Sequence, residues 1–320
     1  DEHYMGYDAN ELYVMDRDGS GSERLMPGFD RSVSAARWSA DGEGIWFQYT
    51  DHGVTKVAYV PALGGAEPEV RADNLGGQSL GRPYSSGQFT VTDNGSVAFT
   101  VSQASRPADV AIMVDGEETQ LTWLNEDLLG YRDLGNVAEI WWESSFDGRR
   151  IQGWLVTPPD FDPTQTYPLI LEIHGGPFAS YGPHFAAEIQ LYAAAGNVVL
   201  YTNPRGSTSY GEEFGNLIHH NYPGQDFDDL MSGVDAVIER GFIDEDRLYV
   251  TGGSGGGVLT AWIVGHTDRF AAAVSQKPVI NWYSFVLTSD ATAFFYKYWF
   301  PGLPGDHLET SAADRREGTL

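Results

Sequence analysis

The chain has 320 residues, a formal net charge of −26 at pH 7 and no cysteine. The lack of cysteine excludes disulfides and a thiol nucleophile. The negative charge argues against nucleic acid as a partner, because nothing offsets phosphate repulsion, and no apolar run approaches the ~20 residues of a membrane span.

This length predicts two domains, each large enough for its own core. We expect a soluble protein with no membrane partner, located in the cytoplasm or in the periplasm or secreted. The chain begins with Asp1, and no signal peptide is visible.

Residues 1–135 are rich in turns and in apolar alternation. The segment 38–47 is echoed by residues 91–99, with 53 positions separating Ser39 from Thr92. Asp-Gly and Asn-Gly pairs between apolar alternations indicate hairpins, and a repeat of this length is typical of propeller blades. We therefore predict a partial β-propeller-like domain over 1–135, with parts of about three blades where a closed ring typically has ~4–8.

Residues 136–320 differ, because apolar strands alternate there with helices. After a hairpin around residues 146–148, the predicted strands are 169–173, 198–201 and 248–251, and the predicted helices are 186–195, 226–240 and 258–265. This alternation predicts a mostly parallel, doubly wound sheet with helices on both faces.

One glycine-rich run carries most of the chemical information. Gly252-Gly253-Ser254-Gly255-Gly256 lies between a predicted strand and a predicted helix, which is the setting of the nucleophile elbow of α/β-hydrolases. A phosphate-binding loop is the alternative, but no Walker lysine follows and no acidic residue stands at the spacing of a dinucleotide site. Ser254 is the predicted nucleophile.

A second motif follows the strand at 169–173. His174-Gly175-Gly176-Pro177 resembles the loop that turns a backbone N–H toward the nucleophile in α/β-hydrolases. Gly176 and Gly255, the residue after the serine, are the predicted oxyanion-hole donors. His174 is predicted to be a structural loop residue, because the base of this fold follows the serine in the chain.

These motifs stand in a fixed order with three others. They are residues 203–211, 224–230 and 265–270, which begin Asn-Pro-Arg-Gly, Gly-Gln-Asp-Phe and Gly-His-Thr-Asp. The set resembles the prolyl oligopeptidase family of serine peptidases, in its acylaminoacyl-peptidase-like branch, over roughly residues 137–305. The resemblance implies an α/β-hydrolase domain joined to a propeller that screens the active site. It also implies a pocket lined by Trp282 and Tyr283, for which core packing is the alternative.

The remainder of the catalytic triad is not evident. Of the histidines after Ser254, His266 lies in the motif at the far end of the nucleophile helix, and His307 lies close to the chain end beside Asp306. Neither fits the Ser–Asp–His order of the fold. Residues 309–320 are polar and unlike the family. We therefore expect an α/β-hydrolase domain, residues 136–320, that lacks its C-terminal part, in a chain truncated at both ends.

Two further groups have plain structural interpretations. Asp226, Asp228 and Asp229 open a predicted helix, where negative charge is favoured, and no histidine or cysteine accompanies them at metal-ligand spacing. Arg205 is predicted to support the catalytic face or to form a buried ion pair. We expect neither metal nor cofactor.

The sequence thus predicts a serine peptidase that acts on short peptides through an acyl-enzyme on Ser254. An esterase of the same fold is one alternative. Another is a catalytically silent fragment or binding module. The expected partner, besides the peptide, is a second copy of the chain or a complementing polypeptide that carries the missing Asp and His.

Overall fold

The computed structural model describes residues 6–77 and 79–299, without the side chains of Ala293 and Tyr296. The first part of the chain is all β. A short antiparallel pair comes first, followed by two antiparallel meanders of four strands each. The strands are β1 (Tyr13–Val14), β2 (Glu23–Arg24), β3 (Val33–Trp38), β4 (Gly44–Asp51), β5 (Val54–Pro61), β6 (Glu69–Leu75), β7 (Phe89–Val91), β8 (Val97–Gln103), β9 (Arg106–Val114) and β10 (Glu117–Gln120).

The two meanders repeat the same turn, as the sequence echo predicts. In the first, the Ser39 hydroxyl accepts the amide of Gly44 at 3.0 Å. In the second, the Thr92 hydroxyl accepts the amide of Ser96 at 3.0 Å. The turn at Ser39 is one residue longer, but in both turns the first carbonyl accepts the amide of the glycine three residues on, Gly42 or Gly95, at 3.0 Å, so the 53-residue repeat is structural. The meanders join through a single pair, Leu75 with Val101, and the described strands form an open sheet, so that a closed propeller stays a prediction.

The second part begins with β11, after the one-turn helix α1 (Glu126–Leu129), and contains a six-stranded sheet ordered β11-β12-β14-β13-β15-β16. Its strands are β11 (Asn136–Glu143), β12 (Arg150–Thr157), β13 (Tyr167–Ile173), β14 (Val198–Asn203), β15 (Ile243–Gly253) and β16 (Ala272–Gln276). The first two strands form the predicted hairpin and β12 runs antiparallel to β14. The remaining pairs are parallel.

Helices cover both faces of this sheet. The helices of this part are α2 (Ala187–Ala194), α3 (Glu212–Asn216), α4 (Asp226–Ile238), α5 (Gly255–His266), α6 (Trp282–Thr288) and α7 (Thr292–Tyr298), of which α6 and α7 pack in a separate aromatic cluster. One core cluster joins the sheet to α4 and α5, and a separate cluster joins its opposite face to α2. The predicted doubly wound arrangement is confirmed for these elements. No helix of the described residues is long and apolar enough to cross a membrane.

The strand order brings the His-Gly-Gly-Pro loop and the glycine-rich run to one edge of the sheet. β13 and β15 are parallel neighbours, and their last pair is Ile173 with Gly252. The His-Gly-Gly-Pro loop leaves the end of β13, and the glycine-rich run leaves the end of β15. Since parallel strands end at the same edge of a sheet, the two motifs lie side by side, as they do at the ligand-binding edge of open α/β sheets.

Candidate active site

Ser254 occupies the tip of a sharp turn between β15 and α5. Its backbone has φ 57° and ψ −116°, a conformation that L-residues rarely adopt and that costs about 1–3 kcal/mol. Its amide donates to the Gln276 carbonyl at 2.9 Å, and its carbonyl accepts the amide of Val258 at 3.0 Å. The side chain is exposed. The predicted strand–turn–helix geometry is confirmed.

Close packing explains the glycines around Ser254. A Cβ on Gly252 would lie 2.5 Å from the carbonyl oxygen of Gly256. A Cβ on Gly256 would overlap the carbonyl oxygen of Ile173 and lie 2.8 Å from that of His174. The start of α5 therefore touches the end of β13 directly, and only glycine permits this approach.

The loop after β13 brings two amides to the elbow. The amide of Gly175 donates to the Tyr84 hydroxyl at 2.8 Å. The amides of Gly176 and Gly255 donate to no acceptor within residues 6–77 and 79–299. A Cβ on Gly255 would lie 2.8 Å from the carbonyl oxygen of Gly176, so these two predicted donors are neighbours.

His174 is held inside the protein by its own loop. Its Nδ1 lies 2.8 Å from the carbonyl oxygen of Gly175, and its Nε2 lies 2.9 Å from the Ser207 hydroxyl. Burial lowers the pKa of His174 to about 4, so the ring is neutral at pH 7. The expectation of a structural loop histidine is confirmed.

A base for Ser254 is not found in the part of the chain that the structure describes. There the Ser254 hydroxyl has no hydrogen-bond partner. His266 ends α5, the helix that begins beside Ser254, and its Nδ1 lies 2.8 Å from the Trp262 carbonyl. Asp306, His307 and the polar segment 309–320 lie outside the described residues.

An aromatic cluster adjoins the elbow. Trp282, the first residue of α6, lies with its ring centroid 6.1 Å from that of Trp299. Trp299 stacks on Tyr222 at 4.9 Å, and the Tyr222 hydroxyl donates to the Gly255 carbonyl at 2.9 Å. Trp282 thus joins a continuous apolar wall that reaches the nucleophile turn. Tyr283 follows it in α6 and is half-buried.

Arg205 forms the buried ion pair that the sequence predicts. Its Nη2 lies 2.7 Å and its Nε 2.9 Å from the two carboxylate oxygens of Asp229, and both residues are buried. Asp226 is also buried and accepts the amides of Gly224 and Phe227. Burial raises the pKa of Asp226 to about 7. No set of three potential metal ligands occurs among the described residues.

Four polar residues beside the elbow were missed at the level of sequence. Arg82 reaches from the all-β part to Glu188 of α2, with Nε 2.9 Å from Oε2. Its Nη1 lies 3.3 Å from Oε1 of the fully buried Glu172 in β13. Tyr84 is the fourth. Tyr84 is 91 residues from Gly175, whose amide it accepts, and Arg82 is 106 residues from Glu188. Contacts between such distant positions leave no local sequence pattern to recognise.

Burial dominates the electrostatics of Glu172. It raises the pKa of this carboxyl to about 8, although the Arg82 guanidinium acts in the opposite direction. Oε2 of Glu172 has no hydrogen-bond partner among the described residues, and Arg82 is shared with Glu188. The protonated carboxyl is therefore the stable form at pH 7, and the ion pair of Arg82 is chiefly with Glu188, whose pKa is lowered by that contact.

This shift predicts a pH effect on stability. The folded state keeps the Glu172 proton up to about pH 8, while the unfolded chain loses it near 4.5, so stability falls as the pH rises through this interval. Glu172→Gln, which is neutral throughout, should gain stability relative to the native protein as the pH rises. Urea unfolding across the interval measures this. Glu239→Gln, at an exposed position, is the control. If the free energy of unfolding of Glu172→Gln and of the native protein depended on pH in the same way, the raised pKa of Glu172 would be contradicted.

Comparison with known proteins places this geometry in a family. Residues 183–315 match the prolyl oligopeptidase family. An uncharacterized peptidase of Bacillus subtilis, YuxL, is 40% identical over 260 residues, which are 81% of this chain and 38% of that protein. The matched segment, residues 183–315, is of the prolyl oligopeptidase type. A second relative is dipeptidyl-peptidase 5 of Porphyromonas gingivalis, 28% identical over 86% of this chain and 39% of its own length.

Solved structures agree on the fold. Acylaminoacyl peptidase of Pyrococcus horikoshii superposes with a TM-score of 0.78 at 25% identity, over 93% of this chain and 45% of its own. A puromycin-hydrolyzing peptidase of Mycobacterium tuberculosis reaches 0.76 at 20% identity, over 95% and 47% of the two chains. The chain spans about two fifths of the length of the curated relatives it matches.

Proposed function

We propose that the protein is a serine peptidase that cleaves short peptides through an acyl-enzyme on Ser254. The observation that carries the proposal is the exposed, strained Ser254 beside two neighbouring residues, Gly176 and Gly255, whose amides have no acceptor in the described chain. Amides held in this way bind an oxyanion without reorganising, and each such donor typically contributes about 2.7–4 kcal/mol to transition-state stabilisation.

The reaction follows from these positions. The Ser254 oxygen attacks the scissile carbonyl carbon while its proton passes to a base, and the carbonyl oxygen becomes an oxyanion held by Gly176 and Gly255. Collapse of this intermediate breaks the C–N bond, and the base returns the proton to the departing amine. Water then releases the acyl group by the same steps. The base and its orienting acid, a His–Asp pair, come from outside the described residues.

The substrate class rests on the pocket and on the relatives. The aromatic wall that contains Trp282 favours an apolar side chain next to the scissile bond, and Trp282 and Tyr283 are the proposed lining residues. The similar proteins include a dipeptidyl peptidase and an acylaminoacyl peptidase. We therefore propose short peptides cleaved near the N-terminus, free or acylated.

Hydrolysis assays on the protein expressed from its own gene test this proposal. Dipeptidyl and N-acetyl-aminoacyl 4-nitroanilides with an apolar side chain should be cleaved. Ser254→Ala should lower kcat on the order of 10⁶-fold, as loss of a triad nucleophile does. Ser275→Ala is the matched control, because its hydroxyl lies near the elbow but donates to the Gly257 carbonyl.

The two alternatives give different results in the same assay. Cleavage of 4-nitrophenyl esters without cleavage of the anilides would favour the esterase. Absence of both activities in folded protein would favour a binding module and overturn the peptidase proposal.

A further inference from the structure

A segment of the all-β part crosses to the nucleophile edge of the six-stranded sheet. We call residues 79–85 the strap. The carbonyls of Leu80 and Gly81 accept the amides of Ala187 and Glu188 at the start of α2, at 2.9 and 3.1 Å. Further backbone bonds join Pro83 to Gly182 and Ser85 to Ser180. These four bonds fix the strap against the loop and helix that follow the His-Gly-Gly-Pro motif.

Tyr84 of the strap contacts the oxyanion loop directly. Its hydroxyl accepts the amide of Gly175 at 2.8 Å, and its ring packs on that of Tyr181 with centroids 4.8 Å apart. A Cβ built on Gly175 would lie 3.3 Å from Cβ of Ser254. Tyr84 therefore holds Gly175, which packs against the nucleophile and immediately precedes Gly176.

Arg82 of the strap packs against the elbow from another side. A Cβ on Gly253, the residue before Ser254, would lie 2.9 Å from Nη1 of Arg82. Besides its contacts with Glu172 and Glu188, the guanidinium donates from Nη2 to Gln276 at 3.4 Å. Gln276 also accepts the Ser254 amide through its carbonyl. One side chain thus links α2, β13 and β16 immediately below the nucleophile.

We infer that Tyr84 and Arg82 are positioning residues, through which the all-β part sets the geometry of the oxyanion hole and of Ser254. The Tyr84 hydroxyl accepts the hydrogen bond of the Gly175 amide and thereby fixes the loop. The Gly176 amide then remains free to bind the oxyanion. Arg82 ties the elbow to the sheet. This inference rests on the proposed function, because it assigns these residues a role in the reaction of Ser254.

The test compares Tyr84→Phe with the native protein in two independent measurements. The first is the second-order rate of Ser254 labelling by a fluorophosphonate, whose adduct places an oxygen in the oxyanion hole. We expect a fall of about 10- to 100-fold, the size that a small misplacement of reacting groups produces. The KM for a 4-nitroanilide substrate should stay unchanged while kcat falls.

The second measurement is hydrogen exchange at the Gly175 amide, followed by mass spectrometry with fragmentation. Loss of the Tyr84 acceptor should accelerate this exchange. Tyr13→Phe is the matched control, since it removes an exposed hydroxyl that donates to Glu11 at 2.7 Å and touches neither the strap nor the oxyanion loop. Thermal unfolding checks that both variants fold.

The outcomes separate the two proposals. Faster Gly175 exchange together with slower labelling supports the inference. Unchanged exchange, or unchanged labelling despite faster exchange, overturns it while the proposed function stands. Absence of Ser254 labelling in the native protein overturns the proposed function and with it the catalytic role of the strap. Faster Gly175 exchange in Tyr84→Phe would then support only the hydrogen bond between Tyr84 and Gly175.

Discussion

Gly256→Ala is expected to abolish the reactivity of Ser254 and to lower the free energy of unfolding by about 2 kcal/mol. The added methyl group would overlap the Ile173 carbonyl oxygen and crowd that of His174. Overpacking of this kind typically costs about 1–3 kcal/mol, occasionally more, and here the opposing atoms are backbone. The smaller gain in helix propensity from glycine to alanine, about 1 kcal/mol, offsets only part of it.

The functional effect has a geometric cause. His174 leads directly into Gly175 and Gly176, so displacing the end of β13 from α5 also separates Gly176 from Gly255. Fluorophosphonate labelling and urea unfolding measure the two effects. Val264→Ala is the control, because Val264 lies on the same helix at an exposed position. A Gly256→Ala protein that labels at the native rate would contradict the proposed arrangement of the oxyanion hole.

Arg205→Ala should be the most destabilising single change among the ion pairs described above. It leaves the carboxylate of Asp229, which is fully buried, without its guanidinium partner. Removing one member of a buried pair typically costs about 3–5 kcal/mol, because the remaining charge is uncompensated. Urea unfolding at pH 7 measures this, and Arg205→Met combined with Asp229→Leu should recover much of the loss.

A surface pair provides the comparison. Arg269 contacts Asp235 at 2.5 Å, but their side chains are 31% and 57% exposed. Exposed pairs contribute about 0–1 kcal/mol, so Arg269→Ala should have little effect. A cost below about 1 kcal/mol for Arg205→Ala would contradict the expectation that this buried ion pair stabilises the fold.

The sequence predicted those features that local chemistry determines. The elbow at Ser254 is recognisable because its glycines permit a close approach that any side chain would prevent. The repeat between Ser39 and Thr92 is recognisable because in both turns the backbone carbonyl of this residue accepts the amide of a glycine three residues on. The Arg205 ion pair is confirmed by its contact with the buried Asp229, while support of the catalytic face by Arg205 stays a prediction.

Features that depend on distant segments were not predictable in this way. Arg82 and Tyr84 stand in a turn-rich stretch, and nothing in that stretch indicates that it reaches β13 and α2. Glu172 is a single charged residue in an otherwise apolar strand. Its protonated state follows from burial, which only the assembled sheet creates. Trp282 and Tyr283 came from family resemblance alone, and their role in the pocket stays a proposal.

The most direct test of the account is covalent modification of the folded protein by diisopropyl fluorophosphate, with the site located by peptide mass mapping. We predict one adduct, on Ser254, whose extent matches the loss of peptide hydrolysis, and no adduct in Ser254→Ala. An unmodified Ser254 in folded protein, or a peptidase activity that persists after complete modification, would contradict the claim that Ser254 is the nucleophile.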